Sequence, residues 1–154
     1  LMHATLGCGA AEVFDVVAAG DMVAAKKPAP DIYLLALERL GVAADAALAF
    51  EDSRNGLEAA RAAGLRVVVT PGRFTAGEDF TGADRVVVMD KGKILLDGTP
   101  REVFSQVETV KATGLDLPQP TELFYRLRKK GVDLPEGVID ADECIDILAG
   151  ILGK

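Results

Sequence analysis

The first half of the chain alternates short apolar runs with stretches of three-and-four spacing. Leu1 to Leu6, closed by Gly7, reads as the tail of a helix whose start lies upstream. Val13-Phe14-Asp15-Val16-Val17-Ala18-Ala19, followed by Gly20-Asp21, predicts a short buried strand and a turn. The two prolines of Lys26-Lys27-Pro28-Ala29-Pro30-Asp31 push their predecessors out of helical geometry and predict a loop. From Asp31 to Leu40, Ile32, Leu35, Ala36 and Leu40 form one helical face, and Gly41 stops it. Ala46 to Phe50 reads as a second strand, Arg54 to Ala63 as an alanine-rich helix ended by Gly64, and Leu65 to Thr70 as a third strand. Strand, helix, strand, helix, strand with short connections predicts a parallel sheet with right-handed crossovers.

The second half follows another rule. Asp84 to Asp90 and Lys93 to Gly98, joined through Lys91-Gly92, predict a β-hairpin. Thr99-Pro100-Arg101-Glu102 carries a cap, a proline at the first helical position and an acid at the third. Further helices are expected near Val107 to Thr113, Thr121 to Lys130 and Asp140 to Leu152, separated by proline-bearing segments. The expected fold is therefore α/β: a partial Rossmann-like parallel sheet with flanking helices, then a hairpin and a helical tail.

Composition narrows the class. The 154 residues suit one domain, or a small domain with an appendage, and 49% are hydrophobic and 27% charged. A net charge of -7 argues against a nucleic-acid binder, and no apolar run is long enough to cross a bilayer, so neither nucleic acid nor membrane insertion is expected. Cys8 and Cys144 have no metal-type spacing, which suits a reducing, cytoplasmic compartment. His3 is the only histidine and lies near a chain end, so histidine-assisted nucleophilic catalysis is not expected.

Candidate chemistry concentrates where the second strand ends. Leu48-Ala49-Phe50 runs into Glu51-Asp52-Ser53, and a buried strand ends in two carboxylates at little cost only if the pair reaches solvent, caps a helix or holds a cation. Strand tips of open α/β sheets are also where ligands bind. Asp52, helped by Glu51, is a candidate Mg2+ carboxylate, because that ion takes one or two protein carboxylates and completes its shell with water and phosphate oxygens. An N-cap beside an exposed acid is the other reading of Glu-Asp-Ser. Lys26 and Lys27, in the loop before the preceding helix, add positive charge suited to a phosphoryl oxygen.

Gly20-Asp21, Lys27-Pro28-Ala29-Pro30-Asp31-Ile32-Tyr33, Phe50-Glu51-Asp52-Ser53, Gly56 and Ala59-Ala60-Arg61-Ala62-Ala63-Gly64 together resemble the later motifs of haloacid-dehalogenase-like phosphatases of the sugar-phosphate and phosphoglycolate type. The resemblance covers residues 1–82. It implies a Mg2+-dependent hydrolase acting on a phosphorylated small molecule, with Lys27 as the phosphate-proximal lysine, Asp52 as a direct Mg2+ ligand, Glu51 as a carboxylate of the same metal site and Gly56 as the position of a tight turn into the helix. The family's nucleophile lies in an Asp-x-Asp pair, and none precedes Lys27. Asp140-Ala141-Asp142 is the chain's one Asp-x-Asp, and with Glu143 it fits a helix N-cap and capping box instead.

Ala83-Asp84-Arg85-Val86-Val87-Val88-Met89-Asp90-Lys91-Gly92-Lys93-Ile94, Asp97-Gly98-Thr99-Pro100-Arg101-Glu102-Val103-Phe104, Leu117-Pro118-Gln119-Pro120-Thr121 and Asp142-Glu143-Cys144 resemble the carboxy-terminal end of ABC transporter ATPases of the energy-coupling-factor type. That resemblance covers residues 83–154 and implies a structural segment contributing to subunit pairing. The phosphate-binding loop, Walker B carboxylates, signature motif and switch histidine of those ATPases are absent from the sequence.

Two units are therefore expected, a partial phosphatase-like α/β core over 1–82 and an ATPase-like hairpin and helical segment over 83–154, meeting at Gly82-Ala83-Asp84. Three functional expectations follow. One is a phosphatase remnant that keeps Lys27, Glu51 and Asp52 but has no nucleophile and no turnover. The second is a structural module that self-associates through apolar faces such as Leu123, Phe124 and Leu127. The third is a recombined fold in which the two pieces share one core.

Overall fold

The computed structural model describes residues 13–72, 74–75 and 77–153. The helix tail expected at Leu1 to Leu6, with His3 and Cys8, lies outside them. Helix α1, Asp31–Leu40, forms where the apolar spacing requires and ends at Gly41, whose φ of 65° is a left-handed stop. A 3-10 turn at Ala44–Ala46 precedes β1, Leu48–Glu51, which starts two residues later than expected because the Ala46 and Ala47 amides bond back to Ala43 and Ala44. Helix α2, Arg54–Ala62, and strand β2, Arg66–Val69, follow. Then come β3, Arg85–Asp90; β4, Lys93–Gly98; α3, Pro100–Phe104; α4, Val107–Ala112; α5, Gln119–Lys129; and α6, Ala141–Leu152.

The four strands form one sheet in the order β1-β2-β3-β4. β1 pairs with β2 and β2 with β3 in parallel, and β3 pairs with β4 antiparallel. The fold class is as expected, with one refinement: β3 is both the hairpin's first strand and the third parallel strand. The hairpin turns through Lys91 at φ 48° and Gly92 at φ 75°, the conformation that a two-residue turn of matching twist requires.

The strand expected at 13–19 does not form; that segment is irregular, with Val13, Phe14 and Val17 exposed. Apolar, β-branched composition makes a strand only where a neighbour completes the ladder, and among the described residues the sheet ends at β1.

One face of the sheet is covered. Ala49, Val67, Val69, Val86, Val88 and Leu96 are buried there and join Leu57, Ala60, Phe80, Val103 and Phe104 in a single core. This core and the sheet run across residues 82 and 83. Asp84 binds the edge of β2 at the crossing: its Oδ2 accepts from Val67 N at 2.8 Å and its own amide donates to Val67 O at 3.0 Å. Arg61 of α2 lies 3.6 Å from the same carboxylate. The opposite face carries Leu48, Phe50 and Met89 exposed, with Arg85 paired to Asp97 across its middle.

A second, smaller core gathers Phe124, Leu134, Val138 and Cys144, with Leu127, Ile147 and Leu148 against it. Phe124 is thus inside, and of the three apolar residues expected to form an association face, Leu123 alone is exposed. Burial pushes the Cys144 thiol up, so it behaves as an apolar core residue. Asp140 caps α6, its carboxylate accepting from Glu143 N at 2.9 Å. The other half of the expected capping box is not made, because Glu143 turns to Arg101, with 2.7 Å between them. The basic run at the end of α5 is largely neutralised: Arg126 pairs with Glu122, Arg128 with Glu136 and Lys129 with Glu108.

Candidate functional site

The loop at 26–30 and the tip of β1 bring two of the three candidate residues into contact. The Lys27 ammonium pairs with Glu51 Oε1, and the Tyr33 hydroxyl donates to the same oxygen. Lys27 also lies over the Tyr33 ring, 5.1 Å from its centroid. Alternation along β1 decides the division of labour. Ala49 and Glu51 point into the covered face, Phe50 to the open one, and Asp52, one residue past the strand, is exposed. Glu51 is 8% exposed, and Lys27 and Tyr33 give its carboxylate the polar partners that burial demands.

Glu51 is held from two more sides. Its carbonyl accepts from Thr70 N at 2.7 Å, which fixes the strand tip against the end of β2. Its second carboxylate oxygen lies against Gly56, where a Cβ would collide with it. Gly56 is therefore glycine because the carboxylate occupies the side-chain position, a more specific reason than a tight turn. Ser53 caps α2, its hydroxyl accepting from Gly56 N at 3.3 Å, so the cap reading of Glu-Asp-Ser is realised in the serine. The adjacent Arg54 amide donates to the Glu78 carboxylate, which folds back from the loop after β2.

Tyr33 is the residue that sequence reasoning passed over. Its position in Lys27-Pro28-Ala29-Pro30-Asp31-Ile32-Tyr33 carried the signal, because a half-buried tyrosine hydroxyl needs a polar partner. Lys27 keeps about two-fifths of its side chain exposed, 40%, while Glu51 anchors it. That leaves a positioned ammonium able to meet an anion at the surface.

The donor set suits a divalent cation only in part. Asp52 is an exposed carboxylate at a strand tip, as a direct Mg2+ ligand must be, whereas Glu51 is buried, with its Oε1 taken by Lys27 and Tyr33 and its Oε2 lying beside Gly56. Among the described residues no group of three or more His, Cys, Asp or Glu converges. The residues fit one protein carboxylate with water or phosphate oxygens completing the shell.

The family model for haloacid dehalogenase-like hydrolases matches residues 2–64. The protein CbbY of Rhodobacter capsulatus is 61% identical over 84 residues, covering 54% of this chain and 37% of that protein. A crystal structure of a CbbY variant from Rhodobacter sphaeroides in complex with xylulose-(1,5)-bisphosphate is 62% identical, with a TM-score of 0.50, over 51% of this chain and 35% of that one. The energy-coupling factor transporter ATP-binding protein EcfA1 of Caldanaerobacter subterraneus subsp. tengcongensis is 51% identical over 71 residues of the carboxy-terminal part, 46% of this chain and 26% of that protein. The chain thus resembles two unrelated families in succession, a haloacid-dehalogenase-like phosphatase and an energy-coupling-factor ATPase. It spans little more than a third of the first relative and about a quarter of the second. Among the described residues no helix is long and apolar enough to cross a membrane.

Proposed function

We propose that this chain is a fusion of a phosphatase-type half-site with an ATPase-type carboxy-terminal segment, and that its own 154 residues bind a phosphorylated small molecule and Mg2+ weakly without hydrolysing a phosphomonoester. The observation that carries this reading is the Lys27–Glu51 pair at the tip of β1, next to the exposed Asp52. Lys27 holds a phosphoryl oxygen by its charge, and Glu51 and Tyr33 keep the ammonium in place. Asp52 is the direct metal carboxylate, and Glu51 contributes to the same site through Lys27. Mg2+, when bound, neutralises phosphate charge as a Lewis acid. Attack on phosphorus needs a nucleophilic carboxylate, and no Asp-x-Asp of the family type stands before Lys27 in these residues.

The test is calorimetric titration of the full chain with Mg2+ and inorganic phosphate, alongside a phosphate-release assay on sugar phosphates. Weak binding that falls in Asp52→Asn (metal) and Lys27→Met (phosphate), with no release above buffer, is the expected result. Phosphate release that disappears in Asp52→Asn would show a complete active site and overturn the half-site reading.

A second reading, a structural module that self-associates, draws on the apolar side chains left exposed on β1, Leu48 and Phe50.

A further inference from the structure

We propose that Glu78 is a positioning residue for Asp52: by holding the first turn of α2 it fixes the backbone on which the candidate metal carboxylate stands, and the ATPase-like segment holds Glu78 in place. The inference rests on the half-site reading and deepens it, because it makes the second segment a working part of the site in the first.

Asp52 and Ser53 lie between two anchored peptide groups. Before them the Glu51 carbonyl accepts from Thr70 N at 2.7 Å, and after them the Arg54 amide donates to the Glu78 carboxylate. The Arg54 amide is the first of α2 and one of the donors that no carbonyl of the helix can reach. Ser53 satisfies a different one, Gly56 N, at 3.3 Å, so the contact to Glu78 is not duplicated by the cap. A strand tip followed by a loose first turn leaves the Asp52 carboxylate with many directions. An ion held by one protein carboxylate then loses affinity by the entropy of ordering it.

Glu78 is itself fixed from the ATPase-like side. Gly77, at φ 89°, turns the chain into Glu78 through a conformation that side chains rarely adopt. A Cβ at Gly77 would stand 3.6 Å from Asp116 Cβ and 3.9 Å from the Leu117 carbonyl oxygen, so the connection between α4 and α5 lies directly against this turn. Two residues after Glu78, Phe80 is 1% exposed and shares the main core with Leu115, Leu117 and Ile139. Between them Asp79 closes a tight turn, its Oδ1 accepting from Thr81 N at 2.9 Å and from the Thr81 hydroxyl at 2.7 Å. The residues on both sides of Glu78 are thus anchored, and its carboxylate is delivered to the start of α2.

Charge acting through space is the competing account, since a carboxylate at Glu78 also attracts a cation toward Asp52. The two accounts differ in what the hydrogen bond does. Glu78→Gln removes the charge but keeps an oxygen acceptor for Arg54 N, whereas Glu78→Ala removes both.

The experiment is calorimetric titration of the full chain with Mg2+ alone, paired with NMR relaxation and hydrogen exchange of the backbone amides. Mg2+ affinity is expected to fall at least about threefold in Glu78→Ala and to stay within about twofold of the native value in Glu78→Gln. In Glu78→Ala the Arg54 amide exchanges faster and the Asp52 and Ser53 amides become more mobile, with or without Mg2+. Leu117→Ala, or Leu117→Val if the larger change prevents folding, moves the Asp52 mobility in the same direction and adds little in a Glu78→Ala background. Native affinity and mobility in Glu78→Ala, a loss in Glu78→Gln as large as in Glu78→Ala, or a folded Leu117 variant with native mobility at Asp52 would each overturn the proposal. A native chain that binds no Mg2+ ends the half-site reading by itself, and the amides then decide: loosening at Asp52 and Arg54 in Glu78→Ala sustains the positioning role, and unchanged amides overturn it.

Discussion

Glu51 and Asp52 are neighbours with opposite fates, and a two-residue side-chain period is the whole cause. Glu51 falls on the covered face, where its carboxylate pairs with Lys27 and accepts from the Tyr33 hydroxyl. Asp52 falls outside the sheet and is exposed. The adjacency that marks them as a pair in the sequence says nothing of this split, since burial comes from helices packed against the strand. Gly56 shows the same dependence: the carboxylate it accommodates belongs to a residue five positions earlier. Gly56→Ala forces Glu51 to move, and chemical denaturation is expected to show a loss of about 1–3 kcal/mol. In a Glu51→Ala background the same substitution should cost clearly less, a coupling that a double-mutant cycle reads. An unchanged cost would mean that the glycine serves the backbone instead of the carboxylate.

The elements with their own local signals form where those signals put them. Gly41 stops α1, Lys91-Gly92 turns the hairpin, and Thr99 with Glu102 closes a full capping box on α3. The helices α4 and α5 are tied by charge. The hydrogen bond from Lys111 to Glu122, at 2.7 Å, holds the Glu122 carboxyl below the usual carboxylate range, and Arg126 adds to this. A depressed folded pKa contributes stability above the unfolded value of about 4.3, and that contribution disappears as pH falls through the folded value. Urea unfolding of the native chain is therefore expected to weaken from pH 6 to pH 3. Glu122→Gln should lose less than about 1 kcal/mol at pH 7 and show a smaller decline on acidification. A decline as steep as in the native chain would remove Glu122 from that dependence.

At the scale of the molecule, two segments of unrelated likeness share one sheet and one core. β2 comes from the phosphatase-like part and β3 from the ATPase-like part, and they pair in parallel with Val69 opposite Val86. Both valines are fully buried in the same cluster. Parallel strands buried on one face are stable only as a unit, so β2 and β3 are expected to open together. Native-state hydrogen exchange should give the amides of Val67 to Val69 and of Val86 to Val88 matching free energies of opening, with the second core around Phe124 opening more easily. Independent opening of β2 and β3 would mean that the two segments merely touch.

The sequence by itself determined the α/β class, the positions of the capped and glycine-stopped helices, the hairpin, the two family likenesses and the identity of Lys27, Glu51 and Asp52 as candidates. Each of these rests on neighbouring residues: a cap, a turn dipeptide, a period or a motif. Only the tertiary structure decided that 13–19 is not a strand, that Phe124 is core, that Tyr33 completes the Glu51 site and that the sheet passes unbroken over Gly82-Ala83-Asp84. Those outcomes depend on a partner distant in the chain. A strand needs a neighbour to bond, a buried charge needs a counter-charge, and an apolar residue is inside only where another element covers it.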